Sequence, residues 1–108
     1  VIKEINVMNI MERRMEISHP GEILRMEIVE GRGLTIAKAS ELLGVTRPTL
    51  SNILNGKSSI TPNIALRVET VFGGAARLWV RLQSTYDLDI AKKIFLKTPP
   101  KIKHFDLV

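Results

Sequence analysis

A 108-residue chain that is 44% hydrophobic and 25% charged has the composition of one globular domain, which sets aside a disordered or fibrous protein and leaves little room for a second core. Its 16 basic and 11 acidic residues give a net charge of +5, a balance that suits a polyanionic partner through phosphate neutralisation and also describes many solvated surfaces. Without cysteine there is no disulfide, zinc-thiolate site or thiol nucleophile, as expected of a protein of the reducing cytoplasm.

Residues 1–17 have no dependable hydrophobic period and read as an N-terminal arm. Charges at Lys3, Glu4, Glu12, Arg13 and Arg14 interrupt any signal-peptide core or membrane span, and Met8, Met11 and Met15 each offer a start site. The first helix is expected from Ser18 or His19, with Pro20 in its first turn, Glu22 complementing its N-terminus and Gly31 closing it. Ile23, Leu24 and Ile28 give it an apolar face. Thr35 can cap a second, two-turn helix that presents Ile36, Ala39 and Leu43 to one side and stops at Gly44. Thr46 can cap a third, with Pro48 in its first turn, Leu50, Ile53 and Leu54 buried, and Asn55-Gly56 at its end.

Thr61-Pro62 repeats the cap-then-proline start, and Ala65, Leu66, Val68 and Phe72 form the inward face of a fourth helix before Gly73-Gly74. A fifth is expected from about Ala75 into the low nineties, with Trp79, Leu82, Tyr86, Ile90 and Ile94 as a stripe long enough to pack on the bundle and extend past it. The fold expected is therefore all-α, a five-helix domain over residues 18–95 with flexible or irregular ends. Residues 96–108 form a basic C-terminal tail, either a short strand or a loose end.

Thr35 to Gly56 is the informative stretch. It holds two short helices joined by Gly44-Val45-Thr46, with small residues Ala39 and Ser40 where the helices must approach and Leu50 and Ile53 anchoring the second. That arrangement suits a helix-turn-helix, whose second helix lies in the DNA major groove. With Leu50, Ile53 and Leu54 inward, the outer positions are Thr46, Arg47, Thr49, Ser51, Asn52, Asn55 and Lys57, all able to hydrogen-bond. Arg47 has the fork geometry for guanine and Asn52 the amide for adenine, while Thr46, Ser51, Asn55 and Lys57 suit phosphates or mixed roles. The plain alternative is that Thr46 and Asn55-Gly56 only cap the helix and the rest is a wet face.

The chain resembles the HigA-type antitoxins of bacterial toxin–antitoxin operons, a branch of the phage-repressor-like helix-turn-helix proteins. The match runs through His19-Pro20-Gly21-Glu22-Ile23-Leu24, Leu43-Gly44-Val45-Thr46-Arg47, Ile53 to Lys57, Ile60-Thr61-Pro62, Ala65-Leu66-Arg67, Leu78 to Gln83 and Tyr86-Asp87-Leu88. The resemblance implies a five-helix domain, a homodimer that binds double-stranded operator DNA at an inverted repeat in its own promoter, and a ribonuclease toxin as partner. Ile36 stands where the family often has Gln, Ser40 where it often has Ala, and Gly74-Ala75-Ala76-Arg77 replaces its acidic and aromatic pattern before Trp79. A free-standing regulator without a toxin is the rival reading.

Enzyme chemistry finds no support: Asp87 and Asp89 are accompanied by no nucleophile, oxyanion donors or metal cluster, and no cofactor is expected. His19, beside a helix start, reads as a capping or packing residue, and His104 has no second ligand in reach by sequence. Trp79 and Tyr86 read as packing residues. Lys92, Lys93, Lys97, Lys101 and Lys103 serve either as a solvated end or as auxiliary phosphate contacts.

Overall fold

A computed structural model describes residues 19–105, and the arm expected over residues 1–17 lies outside them. Five helices follow in order: α1 (Pro20–Arg25), continued without a break by a π-helical turn (Met26–Glu30), α2 (Ile36–Leu43), α3 (Arg47–Leu54), α4 (Pro62–Phe72) and α5 (Ala76–Lys97). No strand occurs among the described residues, so residues 98–105 follow α5 as irregular chain.

The starts are fixed by local chemistry. Thr35, Thr46 and Thr61 sit in extended backbone, and each hydroxyl accepts from the N–H three residues on, at 3.1, 3.3 and 3.2 Å. Prolines stand in the first turns of α1, α3 and α4, where no amide donor is needed. The start of α5 lacks such a residue. There the Glu69 carboxylate reaches from α4 to accept from the Ala76 N–H at 2.6 Å, placing an anion at the positive end of the helix.

The core is one cluster drawn from all five helices, with Leu24, Ile28, Leu50 and Leu54 its largest fully enclosed side chains. α3 packs against both α1 and α2, and α5 closes over α4 and α1. Arg67 on α4 donates to the Leu43 and Gly44 carbonyls at 2.9 and 3.1 Å, tying the end of α2 to the bundle. Arg32 donates to the Phe72 carbonyl at 3.0 Å and lies 5.2 Å from that ring, fastening the chain after the π turn to the end of α4.

Three expectations are corrected. The first helix widens after Arg25 into a π turn in which the Gly31 N–H bonds to the Met26 carbonyl at 2.8 Å. The spacing of Leu24 and Ile28 fits either helix type, because both residues end up on the core side in each. In α4, Leu66 is exposed, and Ile64 takes the inward place beside Ala65 and Val68. α5 is longer than expected, running to Lys97, and its stripe extends past the bundle after Tyr86 as its length implies: Trp79 and Leu82 are buried, while Ile90 and Ile94 are exposed along with Leu88, Phe95 and Leu96. Lys97, expected in the tail, therefore stands with Lys92 and Lys93 on this projecting helix.

Candidate nucleic-acid interface

The sequence TRPTLSNILNGK divides α3 by side. Leu50, Ile53 and Leu54 are enclosed, while Thr46, Arg47, Thr49, Asn52, Asn55 and Lys57 are exposed and Ser51 is half-buried. All seven residues expected at the interface thus lie on or beside one short helix, on the side away from its core contacts. Between Thr46 and Lys57 there are two cations and no carboxylate, so the surface has the sign a phosphate backbone requires.

Both ends of α3 are set by glycines in the left-handed region. At the turn before it, Gly44 has φ 68°, its N–H bonding to the Glu41 carbonyl and that of Val45 to the Ser40 carbonyl, a Schellman closure of α2. At the far end Gly56 has φ 73°, with its N–H on the Ile53 carbonyl and that of Lys57 on the Asn52 carbonyl at 2.8 Å. Lys57 thereby leaves the helix at a defined angle.

The seven residues differ in how free they are. Among the described residues, the side chains of Arg47, Asn52 and Lys57 make no hydrogen bond or ion pair. Thr46 and Thr49 are joined hydroxyl to hydroxyl at 2.7 Å, with Thr46 also capping α3. The Asn55 Nδ2 donates to Ser51 Oγ at 3.3 Å, and Asn55 Oδ1 accepts from Arg25 at 2.9 Å. Arg25 and a polar rim of Ser58, Ser59 and Asn63 beside Thr49 and Asn52 were not found by sequence reasoning. Arg25 lies 30 positions from its partner, and no periodicity reports such a pair.

Position 36 is a packing position. Ile36 is partly buried against the core, so it offers no amide to a phosphate. Ser40 is buried, and its hydroxyl is satisfied by donating to the Ala37 carbonyl at 2.8 Å.

α3 is held from behind by a network that joins two distant stretches of sequence. Gly21 presses directly on the Ile53 carbonyl oxygen, where a Cβ has no room. His19 caps α1, with Nδ1 accepting from the Gly21 N–H at 2.9 Å. Gln83 Oε1 accepts from the Ile60 N–H at 2.8 Å, and its Nε2 donates to Asp87 at 3.0 Å. An accepting Nδ1 puts the ring proton on Nε2, so the 3.4 Å approach of His19 Nε2 to Gln83 Nε2 is a contact between two donors rather than a hydrogen bond. Tyr86 meets the imidazole edge-on at 5.0 Å. Burial pushes the His19 pKa below its ordinary 6.5, against the opposing pull of Asp87 and Glu22. The histidine is structural, and its cap needs the neutral ring. Among the described residues no group of three potential metal ligands occurs, and no helix is long and apolar enough to cross a membrane.

The profile of the helix-turn-helix family matches residues 26–79, from the π turn through the start of α5. Virulence-associated protein I of Dichelobacter nodosus is 35% identical over 82 residues, 76% of this chain and 76% of its own length. The structure of antitoxin GraA has a TM-score of 0.75 at 30% identity, with 82% of this chain and 96% of that one covered. The Pseudomonas aeruginosa antitoxin HigA, solved with the higBA promoter, has a TM-score of 0.74 at 31% identity, with 82% of this chain and 98% of that one covered. On these matches and on the geometry of α2 and α3, the chain belongs to the helix-turn-helix family and falls among its HigA-type antitoxin relatives.

Proposed function

We propose that this protein is a sequence-specific DNA-binding repressor of the cytoplasm that reads its operator with α3. The observation that carries the reading is the acid-free outer side of that helix, on which Arg47, Asn52 and Lys57 stand exposed and unspent within the described structure. A guanidinium, an amide and an ammonium so displayed supply a guanine fork, an adenine pair and a phosphate contact. Relatives of the same fold solved with promoter or operator DNA support it.

The protein acts as a homodimer, because one α3 covers a half-site and two-fold symmetry doubles it. The exposed Leu88, Ile94 and Phe95 of α5 leave apolar surface uncovered in the single chain, which favours association. We extend the antitoxin role of its relatives to it: the repressor controls its own operon and neutralises an mRNA-cleaving toxin. The neighbouring gene tests this point, since a small ribonuclease-like toxin that co-purifies supports the antitoxin, and a locus without one leaves a free-standing regulator.

The test of DNA recognition is selection from a random duplex pool at about 50 and about 200 mM salt. A palindromic consensus whose affinity falls steeply with salt is expected. Failure to enrich any sequence, or indifference to every duplex at the lower salt, overturns the reading.

A further inference from the structure

Arg25 belongs to α1, outside the helix-turn-helix, yet the fold carries its guanidinium to the C-terminal end of α3. Nη1 donates to Asn55 Oδ1 at 2.9 Å, and the Asn55 amide in turn donates to Ser51 Oγ at 3.3 Å, so a relay of three side chains runs along the exposed side of α3. The single hydrogen bond uses one of five guanidinium N–H donors. Among the described residues no carboxylate lies within 4 Å of Arg25 to neutralise it. A cation held in place by a neutral amide, with most of its fork open to solvent, has the geometry to donate to two phosphate oxygens at once.

We infer that Arg25 is a further DNA-contacting residue, which binds a backbone phosphate bordering the groove occupied by α3 and is positioned for it by Asn55. This rests on the reading of α3 as the recognition helix. It also divides the two asparagines: both ends of the Asn55 amide are engaged within the protein, so paired recognition of adenine falls to Asn52, whose side chain has no partner among the described residues. Asn55 serves as the bracket that holds Arg25.

The experiment compares wild type, Arg25→Ala and Asn55→Ala on the selected duplex and on an unrelated duplex across a salt series, with melting temperatures measured alongside. Arg25→Ala should weaken both duplexes about tenfold at low salt and reduce the magnitude of the log K against log salt slope by about one, the signature of one lost phosphate contact. Asn55→Ala, which frees the guanidinium but keeps its charge, should retain the wild-type slope and lose only a few-fold in affinity, about 3-fold. A wild-type slope in Arg25→Ala overturns the inference while leaving α3 recognition intact. If the wild type itself binds neither duplex with salt dependence, the recognition reading falls and the inference with it.

Discussion

Gly21 and Ile53 meet backbone to backbone: the Cα of the first faces the carbonyl oxygen of the second with no space for a methyl group between them. α1 is thereby seated on the last turn of α3. Gly21→Ala must push the two apart, at a cost of about 2 kcal/mol in the range of core overpacking. A lower urea midpoint with an unchanged m-value checks it. By contrast, Gly33→Ala meets nothing within 4 Å and bears only the cost of a left-handed φ of 67°, about 1 kcal/mol.

Acid should weaken the fold through His19. In the unfolded chain the ring titrates near its ordinary 6.5, whereas burial holds the folded value lower. The unfolded state therefore binds the proton first, so the contribution of the neutral ring is complete above pH 6.5 and is lost as pH falls toward the folded value. Urea midpoints at about pH 7.5 and about pH 5.5 should differ in wild type and converge in His19→Asn, which keeps a capping oxygen and removes the titration. An unchanged pH dependence in the variant would refute the assignment.

Gln83 is the sole partner of the buried Ile60 N–H among the hydrogen bonds of the described residues. Gln83→Met preserves side-chain length and strands that donor, costing about 1–3 kcal/mol. Gln83→Glu retains the acceptor toward Ile60 but turns a donor into an anion facing Asp87, so it should be tolerated better at low pH than at neutral pH. Equal stabilities for wild type and Gln83→Met, read by thermal melting, would remove Gln83 from the network.

Arg47 and Lys57 should separate in their effects on DNA. Arg47→Ala is expected to relax base preference at one position per half-site, at about 1–3 kcal/mol, whereas Lys57→Ala weakens all sequences alike and flattens the salt slope by about one. Binding to single-base operator variants at two salt concentrations distinguishes them. Equal losses of specificity from both would sink this division of roles.

The threonine caps, the two glycine turns around α3 and the enclosed triad Leu50, Ile53 and Leu54 were legible because each depends on residues three or four apart. What escaped is what depends on distance. His19 touches Gln83 across 64 positions and Arg25 reaches Asn55 across 30, so neither leaves a periodic mark. The resemblance contained both halves of the His19 and Gln83 network as separate signatures, and only the fold shows that they are one structure. Leu66 escapes for a different reason: in the apolar run Ile64-Ala65-Leu66 hydrophobicity alone does not say which neighbour joins Ala65 inside, and the helix turns Ile64 inward and Leu66 outward. The stripe of α5 is long enough in sequence to extend past the bundle and does so, but periodicity alone does not fix Tyr86 as the residue after which it becomes exposed.

The two left-handed glycines that bracket α3, at φ 68° and 73°, bear on the thermodynamics of recognition. A reading head whose backbone is locked before encounter leaves only the rotamers of Arg47, Asn52 and Lys57 to be ordered on complex formation. Calorimetry should accordingly record a small heat-capacity change, without the large negative value that accompanies a segment folding onto its target.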